Sequence, residues 1–285
     1  PFDKFVYADK SLGTQMMATG EVMSIGNSFE AAMMKAVSSI ELGMDTLTHK
    51  PFEELTDDEI VAHMHVQDAE RVFCVYEALK RGIDHETIYK ITKIDWWFLD
   101  KMQHLADLEN GLAKCSGVLT EEQYKTAKKY GFQDKTIKRL AQVDKLPVEN
   151  YRAGFKMVDT CAAEFSSATE YHYKTYENIY RTSPAAKKCV APDETTPADK
   201  PKAMILGAGP NRIGQGIEFD YCSVHCVWTL KEMGCEAIIC NNNPETVSTD
   251  FDIADKLYFE PLTPEDVESI VKLEKPDGAG IRTSA

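Results

Sequence analysis

Apolar residues recur at helical spacing along the first half of the chain. Phe29, Met33, Val37 and Ile40 lie three or four positions apart, as on one face of an amphipathic helix. Residues typical of helix starts and ends punctuate similar runs further on: Asn27 with Glu30, Thr56 with Glu59, Asp68, Asp84, Asp95, Thr120 with Gln123 and Asp134 as starts, and Gly82, Gly111, Gly117 and Gly131 as ends. The pattern predicts an all-helical domain of about seven or eight helices over residues 27–156.

Strand-sized apolar runs alternate with helical patterns after residue 202. The predicted order is strand Ala203–Leu206, helix Ser223–Met233, strand Glu236–Cys240, strand Lys256–Phe259 and helix Pro264–Lys272. Such alternation is typical of a parallel, doubly wound α/β sheet. Residues 278–285 do not continue as an apolar strand, so we expect the α/β domain, residues 203–285, to be incomplete.

Two segments outside these domains carry weaker patterns. Residues 1–26 mix β-branched and aromatic residues with glycines, which predicts short strands and turns but too few for a sheet. We therefore expect them to be the end of another domain. Residues 157–202 are predicted to be a connector, extended or mixed over Val158–Tyr180 and a proline-rich linker over Ser183–Lys202.

The residues Gly82–Ile88 and Gly131–Ile137 resemble each other, and each follows a predicted helix and opens a shorter one. They predict a short duplication of a helix-turn-helix unit. DNA binding by such a unit is disfavoured, because 46 acidic residues outnumber 32 Lys and Arg and give a net charge of −14. No apolar run approaches the ~20 residues of a membrane helix, and no signal sequence is evident. We expect a cytoplasmic protein that binds neither nucleic acid nor membranes.

Cys222 and Cys226, with His225 between them, form the one cluster whose spacing suggests a metal. A structural zinc site needs about four ligands, and the nearest further pair, Cys235 and Cys240, is distant in sequence. Small buried thiols are the preferred interpretation. We predict no metal site.

The loop from Gly207 to Gly216 joins a predicted strand to the next helix. Its glycines would let backbone N–H groups approach an anion near the helix start. The candidate anion-binding residues are Gly207, Gly209, Asn211, Arg212 and Gly214. The loop does not fit a dinucleotide site, because Arg212 replaces the third glycine and Asn241–Asn243 follow the second strand instead of a ribose-binding acid. A plain strand-to-helix turn, fixed by an internal salt bridge of Arg212, is the alternative.

Longer strings in three regions resemble the carbamoyl phosphate synthetase large subunit. The start of its second half, before the second ATP-grasp fold, resembles residues 207–221, Asn242–Asp250 and Leu257–Pro261. The closing strands of its first ATP-grasp domain resemble Thr14–Met16 and Gly20–Gly26. Its oligomerisation domain and connector resemble the helical domain with Asp95–Leu99, and Val158–Phe165. The resemblance covers almost the whole chain in the same order.

This resemblance implies a carbon–nitrogen ligase that makes carbamoyl phosphate from bicarbonate, ammonia or glutamine, and two ATP, for arginine or pyrimidine biosynthesis. The full enzyme would hold ATP with Mg²⁺ or Mn²⁺, pass carbamate through an internal tunnel, and pair with a glutaminase subunit or domain. Glu21, Gly216, Glu218 and Glu245 match family positions along the tunnel. A structural carboxylate is the alternative for each glutamate. Self-association through the helical domain is also implied.

The chain departs from the family pattern at Met17, usually Lys, at Asn27, usually Arg, and over residues 278–285. It also carries neither ATP-grasp core nor the glutaminase triad. We therefore expect no catalytic residue within it, no bound ATP or metal, and no catalysis by this chain alone. Two other interpretations stay open: a non-catalytic helical interaction module, and a stand-alone nucleotide-binding α/β protein.

Overall fold

The computed structural model describes residues 5, 7–17, 21–149, 151–176, 193–212, 216 and 218–281. The chain forms two compact units. The first comprises described residues within Pro1–Ala18, Ser28–Val37 and Glu41–Glu149, and the second those within Thr19–Asn27, Ser38–Ile40 and Asn150–Ala285.

The first unit is helical. Its helices are α1 (Phe29–Ser39), α2 (Lys50–Glu53), α3 (Asp57–Met64), α4 (Arg71–Lys80), α5 (His85–Thr92), α6 (Trp96–Ala113), α7 (Glu121–Lys129) and α8 (Asp134–Ala141). Helix α4 is central, because it contacts α2, α3, α5 and α6 and is buried from Phe73 to Leu79. The predicted number of helices is confirmed for the described part of the chain.

Several predicted helix starts are confirmed by their hydrogen bonds. Thr56 and Thr120 each form a complete capping box, with Glu59 and Gln123 respectively. Asp84 and Asp95 cap α5 and α6 by accepting a backbone N–H. These short polar side chains satisfy N–H groups that a helix start leaves unpaired, so local sequence decides the position.

The predicted capping box of Asn27 and Glu30 is wrong. Ser28 Oγ accepts the N–H of Ala31 at 3.2 Å instead. The Glu30 carboxylate is buried and pairs with His104 Nδ1 at 2.9 Å and Lys101 Nζ at 3.5 Å. Its ionic partners on α6, far away in sequence, determine where this side chain points.

Three further helix signals are displaced. Asp68 accepts the N–H of Glu70 in the turn before α4, and Glu70 itself occupies the cap position. Gln133 precedes α8, so Asp134 is its first residue. Gly111 lies inside α6 and does not end it, since its flexibility permits a helix end without requiring one.

The predicted internal duplication is visible in the backbone. Gly82 and Gly131 have φ of +84° and +93°, and the residue after each donates its N–H five positions back, Ile83 to Ala78 at 3.0 Å and Phe132 to Ala127 at 3.1 Å. This is the hydrogen bond of a glycine helix terminus. Helices α5 and α8 then both end in a left-handed residue.

The second unit is built on a six-stranded sheet of order β1-β2-β5-β4-β3-β6. Its elements are β1 (Gly154–Met157), β2 (Tyr171–Thr175), β3 (Lys202–Leu206), α9 (Glu218–Glu232), β4 (Glu236–Cys240), a 3₁₀ turn (Val247–Thr249), β5 (Lys256–Tyr258), α10 (Pro264–Glu274) and β6 (Gly278–Ile281). All neighbouring strands are parallel except β1 and β2. The predicted α/β class is confirmed.

Successive residues of β4 enter two different apolar clusters. Ala237 and Ile239 pack with Val227 of α9, whereas Ile238 and Cys240 pack with Ile270 of α10. A strand buried on both faces needs a continuous apolar run, which Glu236–Cys240 supplies after its first residue.

The second unit begins before the predicted boundary at residue 202. Strands β1 and β2 come from residues 154–175, and β2 pairs with β5 through Tyr171 and Leu257. Part of the predicted connector therefore belongs to the sheet. Residues 177–192, which hold half of the predicted proline-rich linker, lie outside the described residues.

Both ends of the chain differ from expectation. Residues 278–281 do form a strand, with Gly278 opposite Ala203 and Ile281 opposite Leu206. The open edge of β3 supplies backbone partners, so apolar side chains are not needed there. No strand occurs among the described residues up to Gly26, where Met23 N–H donates to Asn242 C=O at 2.8 Å without a continuing ladder.

Candidate functional site

The glycine loop leaves the carboxyl end of β3, beside the loop that follows β4. The two strands are parallel neighbours, and Leu206 lies opposite Cys240 at their ends. Gly207 N–H continues the pairing by donating to Cys240 C=O at 2.9 Å. Polar residues after the two strands therefore meet at one edge of the sheet, where ligands of open α/β sheets bind.

Asn241 organises the glycine loop from the neighbouring strand end. Its Oδ1 accepts Gly209 N–H at 3.1 Å and Asn242 N–H at 2.9 Å, and its Nδ2 donates to Ser248 Oγ at 3.4 Å. A Cβ on Gly207 would lie 2.7 Å from the Cβ of Asn241, too close for any side chain. Asn241 is completely buried.

The conformation of Gly209 adds a second restriction, because its φ of +70° favours glycine. Sequence patterns carry no direct sign of the role of Asn241, because they identify this position only by the absence of a ribose-binding acid. Its signal was indirect: three asparagines directly after a buried strand and facing a glycine loop.

Asp220 fixes the first turn of α9 to the same loop. Its Oδ2 accepts the N–H of Ser248 at 2.7 Å, and the side chain is buried. Thr249 Oγ1 donates to Asn243 C=O at 3.0 Å, and Asn243 Oδ1 accepts Glu245 N–H at 2.9 Å. These bonds hold the segment from Asn241 to Thr249 in one conformation.

Glu21 and Glu245 come together although they are far apart in sequence. A hydrogen bond between their carboxyl groups, together with the repulsion of the two charges, raises the pKa of Glu21 above its ordinary value. Both residues are exposed. Two neighbouring carboxyl groups offer several oxygen atoms that can accept hydrogen bonds.

Gly216 and Glu218 form a second close contact. Both are exposed, and a Cβ on Gly216 would lie only 3.0 Å from the Glu218 carboxyl carbon. Any side chain at 216 must therefore displace the Glu218 carboxylate.

The predicted anion site is only partly described. The N–H groups of Gly207 and Gly209 already bond to Cys240 and Asn241, which removes two of its candidate donors. Asn211 and Arg212 are partly buried, and Gly214 lies outside the described residues. Anion binding here stays a prediction.

The cysteine and histidine cluster lies on α9. Cys222 and Cys226 are exposed, so the interpretation of these two as buried thiols is wrong. The His225 ring contacts Tyr221 at 4.1 Å and Trp228 at 5.1 Å between centroids. Across the described ranges, no three His, Cys, Asp or Glu side chains converge as metal ligands. None of the helices described is long and apolar enough to cross a membrane.

Comparison with known families accounts for both units. Residues 21–156 match the family model "Carbamoyl-phosphate synthetase large chain, oligomerisation domain", and residues 199–283 match "Carbamoyl phosphate synthase preATP-grasp domain". The chain belongs to the carbamoyl phosphate synthase large-chain family. The predicted resemblance is thereby confirmed.

Two relatives show the extent of the match within this family. The carbamoyl phosphate synthase large chain of Agathobacter rectalis is 51% identical over 288 residues, and that of Lachnoclostridium phytofermentans is 50% identical over 289 residues. Each alignment covers 99% of this chain but 26% of the relative. The chain thus spans about a quarter of the length of these large chains.

Proposed function

We propose that this chain acts within a carbamoyl phosphate synthase large chain, as the segment that joins its two synthetic halves. In this proposal the second unit is the Rossmann-like domain before the second ATP-grasp fold, and residues 1–26 are the end of the first ATP-grasp domain. The complete enzyme would use bicarbonate, ammonia or glutamine and two ATP with Mg²⁺ or Mn²⁺, in the cytoplasm and with a glutaminase subunit. The products would serve arginine or pyrimidine biosynthesis.

The observation that carries the proposal is the pair of family matches: residues 21–156 match the oligomerisation domain and residues 199–283 the preATP-grasp domain of the large chain. Glu21, which precedes α1, lies close to Glu245 in the loop after β4. A labile carbamate needs a path that excludes bulk water and offers hydrogen bonds. The carboxyl pair, with Glu218 beside Gly216, supplies acceptors for an ammonia or carbamate N–H.

The test is Gly216→Phe in the full-length subunit. An aromatic ring at 216 must displace Glu218, so we expect coupled carbamoyl phosphate synthesis to collapse. Bicarbonate-dependent ATP hydrolysis and ATP synthesis from carbamoyl phosphate and ADP should both survive, because each needs only one half. Loss of the second partial reaction, with coupled synthesis falling in proportion, would instead assign Gly216 to a phosphate-binding loop.

Gly111→Phe is the matched control. Gly111 is exposed on α6, and a Cβ there would meet nothing within 4 Å. All three activities should stay at the wild-type level in this variant. A collapse of coupled synthesis in the control too would show that a bulky residue acts through folding and not through the path.

A second function, self-association, is favoured by the exposed aromatic residues at the start of α6. Trp96, Trp97 and Phe98 are 47%, 50% and 44% exposed. Such a cluster is typical of protein interfaces. We expect Trp96→Ala with Trp97→Ala to lower the mass measured by light scattering at tens of micromolar, roughly where weak interfaces are populated. An unchanged oligomeric mass would remove this surface from the interface.

A further inference from the structure

A concave cavity lies in the second unit, between the residues around the start of β1 and helix α10. Its volume is about 480 Å³, which is within the usual range for small-ligand pockets. Three cationic side chains line it: Arg152 just before β1, Lys272 in the last turn of α10, and Lys275 just after that helix. Among the residues that the structure describes, no Asp or Glu lines it. Although the whole chain has a net charge of −14, this cavity favours an anion.

The three cations differ in how firmly they are paired within the chain. Lys275 forms no ion pair with any residue that the structure describes. Lys272 pairs with Glu268 at 2.8 Å, but the two side chains are 67% and 62% exposed. Exposed pairs of this kind are weak, so an incoming anion can replace the glutamate. Arg152 pairs with Asp193 through Nη2, which leaves other N–H donors of the guanidinium for a ligand.

Basic residues are common at the end of a helix, because they complement its unpaired carbonyl groups. That explanation covers Lys272 and Lys275, which lie at the end of α10. It does not cover Arg152, which comes from the segment before β1. Cations therefore converge on the cavity from two separate elements, as an anion site requires.

The remaining surface of the cavity is largely apolar. Ala153, Phe155 and Leu273 contribute to its lining, and the first two are buried. The Tyr151 ring also lines it and stacks on Tyr176, with the ring centroids 5.4 Å apart and the planes at 24°. Water or an inorganic ion alone would leave this apolar surface wet, whereas a flat ring would cover it and extend the aromatic contacts.

We propose that this cavity binds a small aromatic carboxylate. The ring would lie against Tyr151 and Phe155, and the carboxylate would bind Lys275 together with the neighbouring cations. A monoanion matches the site better than a phosphate ester, because Lys275 alone among the three cations has no ion pair within the described residues. The inference does not depend on the proposed function, since every group that it uses lies within residues 151–275 of this chain.

Binding to the wild-type chain is the first measurement, with 4-methylbenzoate as the probe. It should shift the backbone N–H resonances of Tyr151–Phe155 and Leu273–Lys275 in a saturable manner. The neutral compound 4-methylbenzamide has nearly the same shape and should bind at least about tenfold more weakly, because a hydrogen bond to a charged group is worth roughly that factor. No saturable shift with 4-methylbenzoate, or equal affinity for the two compounds, would overturn the proposal.

Charge removal is the second measurement. Lys272→Gln with Lys275→Gln changes two exposed side chains, so the fold should persist while the affinity for 4-methylbenzoate falls at least about tenfold. The matched control is Lys90→Gln with Lys125→Gln, which removes two cations that each pair with a glutamate four positions earlier in the helical unit. The control should keep the wild-type affinity. Equal losses in the two double variants would show that net charge and not the cavity attracts the anion, and would overturn the proposal.

Filling the cavity is the third measurement, made with Ser269→Leu. Ser269 lines the cavity from α10, and its hydroxyl donates to Glu265 C=O of the same helix at 2.8 Å. Leucine is a better helix former, so the thermal midpoint should be unchanged or higher. Binding of 4-methylbenzoate should be lost, because the larger side chain occupies the space of the ring. Full affinity in a folded Ser269→Leu chain would place the anion outside the cavity and overturn the proposal.

Discussion

Gly131 and Gly82 occupy equivalent positions in the two helix-turn-helix units. Backbone conformation restricts both positions to glycine, whereas close packing restricts Gly131 alone. Both have positive φ, which costs a residue with a Cβ about 1–2 kcal/mol. A Cβ on Gly131 would also lie 2.7 Å from Met34 Cβ and 3.3 Å from Ala31 C=O, but one on Gly82 would meet nothing within 4 Å. Overpacking of this kind costs about 1–3 kcal/mol.

We therefore expect Gly131→Ala to destabilise the helical unit by about 2–5 kcal/mol and Gly82→Ala by about 1–2 kcal/mol. Urea unfolding followed by tryptophan fluorescence measures both. A Trp228→Phe background leaves Trp96 and Trp97 as reporters, and both belong to the helical unit. Equal losses in the two variants would show that α1 moves away freely, and would refute the claim that Gly131 is needed for close packing.

Three further predictions concern ionisable groups. Burial opposes ionisation of Glu30, but hydrogen bonding and nearby positive charge outweigh it and lower its pKa. The ionised Glu30 side chain should therefore stabilise the folded protein above pH 4.5, and this contribution should be lost on acidification. Glu30→Gln should flatten that part of an acid-unfolding curve. The pKa of Glu21 is raised, so its effect on stability depends on pH in the opposite direction. The thermal midpoint of the wild-type chain, compared with that of Glu21→Gln, should fall as pH rises above 4.5. Lys174→Met removes the positive charge that balances the buried Asp266 carboxylate and should cost about 3–5 kcal/mol in urea unfolding. Lys272→Met, which breaks an exposed pair, should cost about 0–1 kcal/mol; equal costs would contradict the buried-pair argument.

Local signals predicted the helical unit well. Thr56, Asp84, Asp95 and Thr120 cap their helices with bonds to residues two or three positions away, so sequence alone contains the information. The capping role predicted for Glu30 was wrong because the partners of its carboxylate lie on another helix. A capping rule cannot anticipate an ion pair that only tertiary packing creates.

The sheet and the site were predictable only in part. The central strand Glu236–Cys240 was identified by its apolar run, whereas Gly278–Ile281 forms a strand because β3 offers it backbone partners. The family resemblance identified Glu21 and Glu245 as candidate site residues, but no periodic pattern in the sequence predicts that the two lie close together. The contribution of Asn241 depends on the pairing of β3 with β4, which is a tertiary property.

The outer edge of β1 has a consequence for any attempt to express the α/β unit separately. Asp193 and Glu194 cover that edge, because their carboxylates accept the N–H groups of Phe155 and Met157 at 3.0 Å each. Carboxylates at this position discourage another strand from adding to the sheet. A fragment beginning at Lys202 would lose β1 and β2 and expose the bare edge of β5, so it should aggregate through strand addition, whereas a fragment beginning near Tyr151 should stay dispersed.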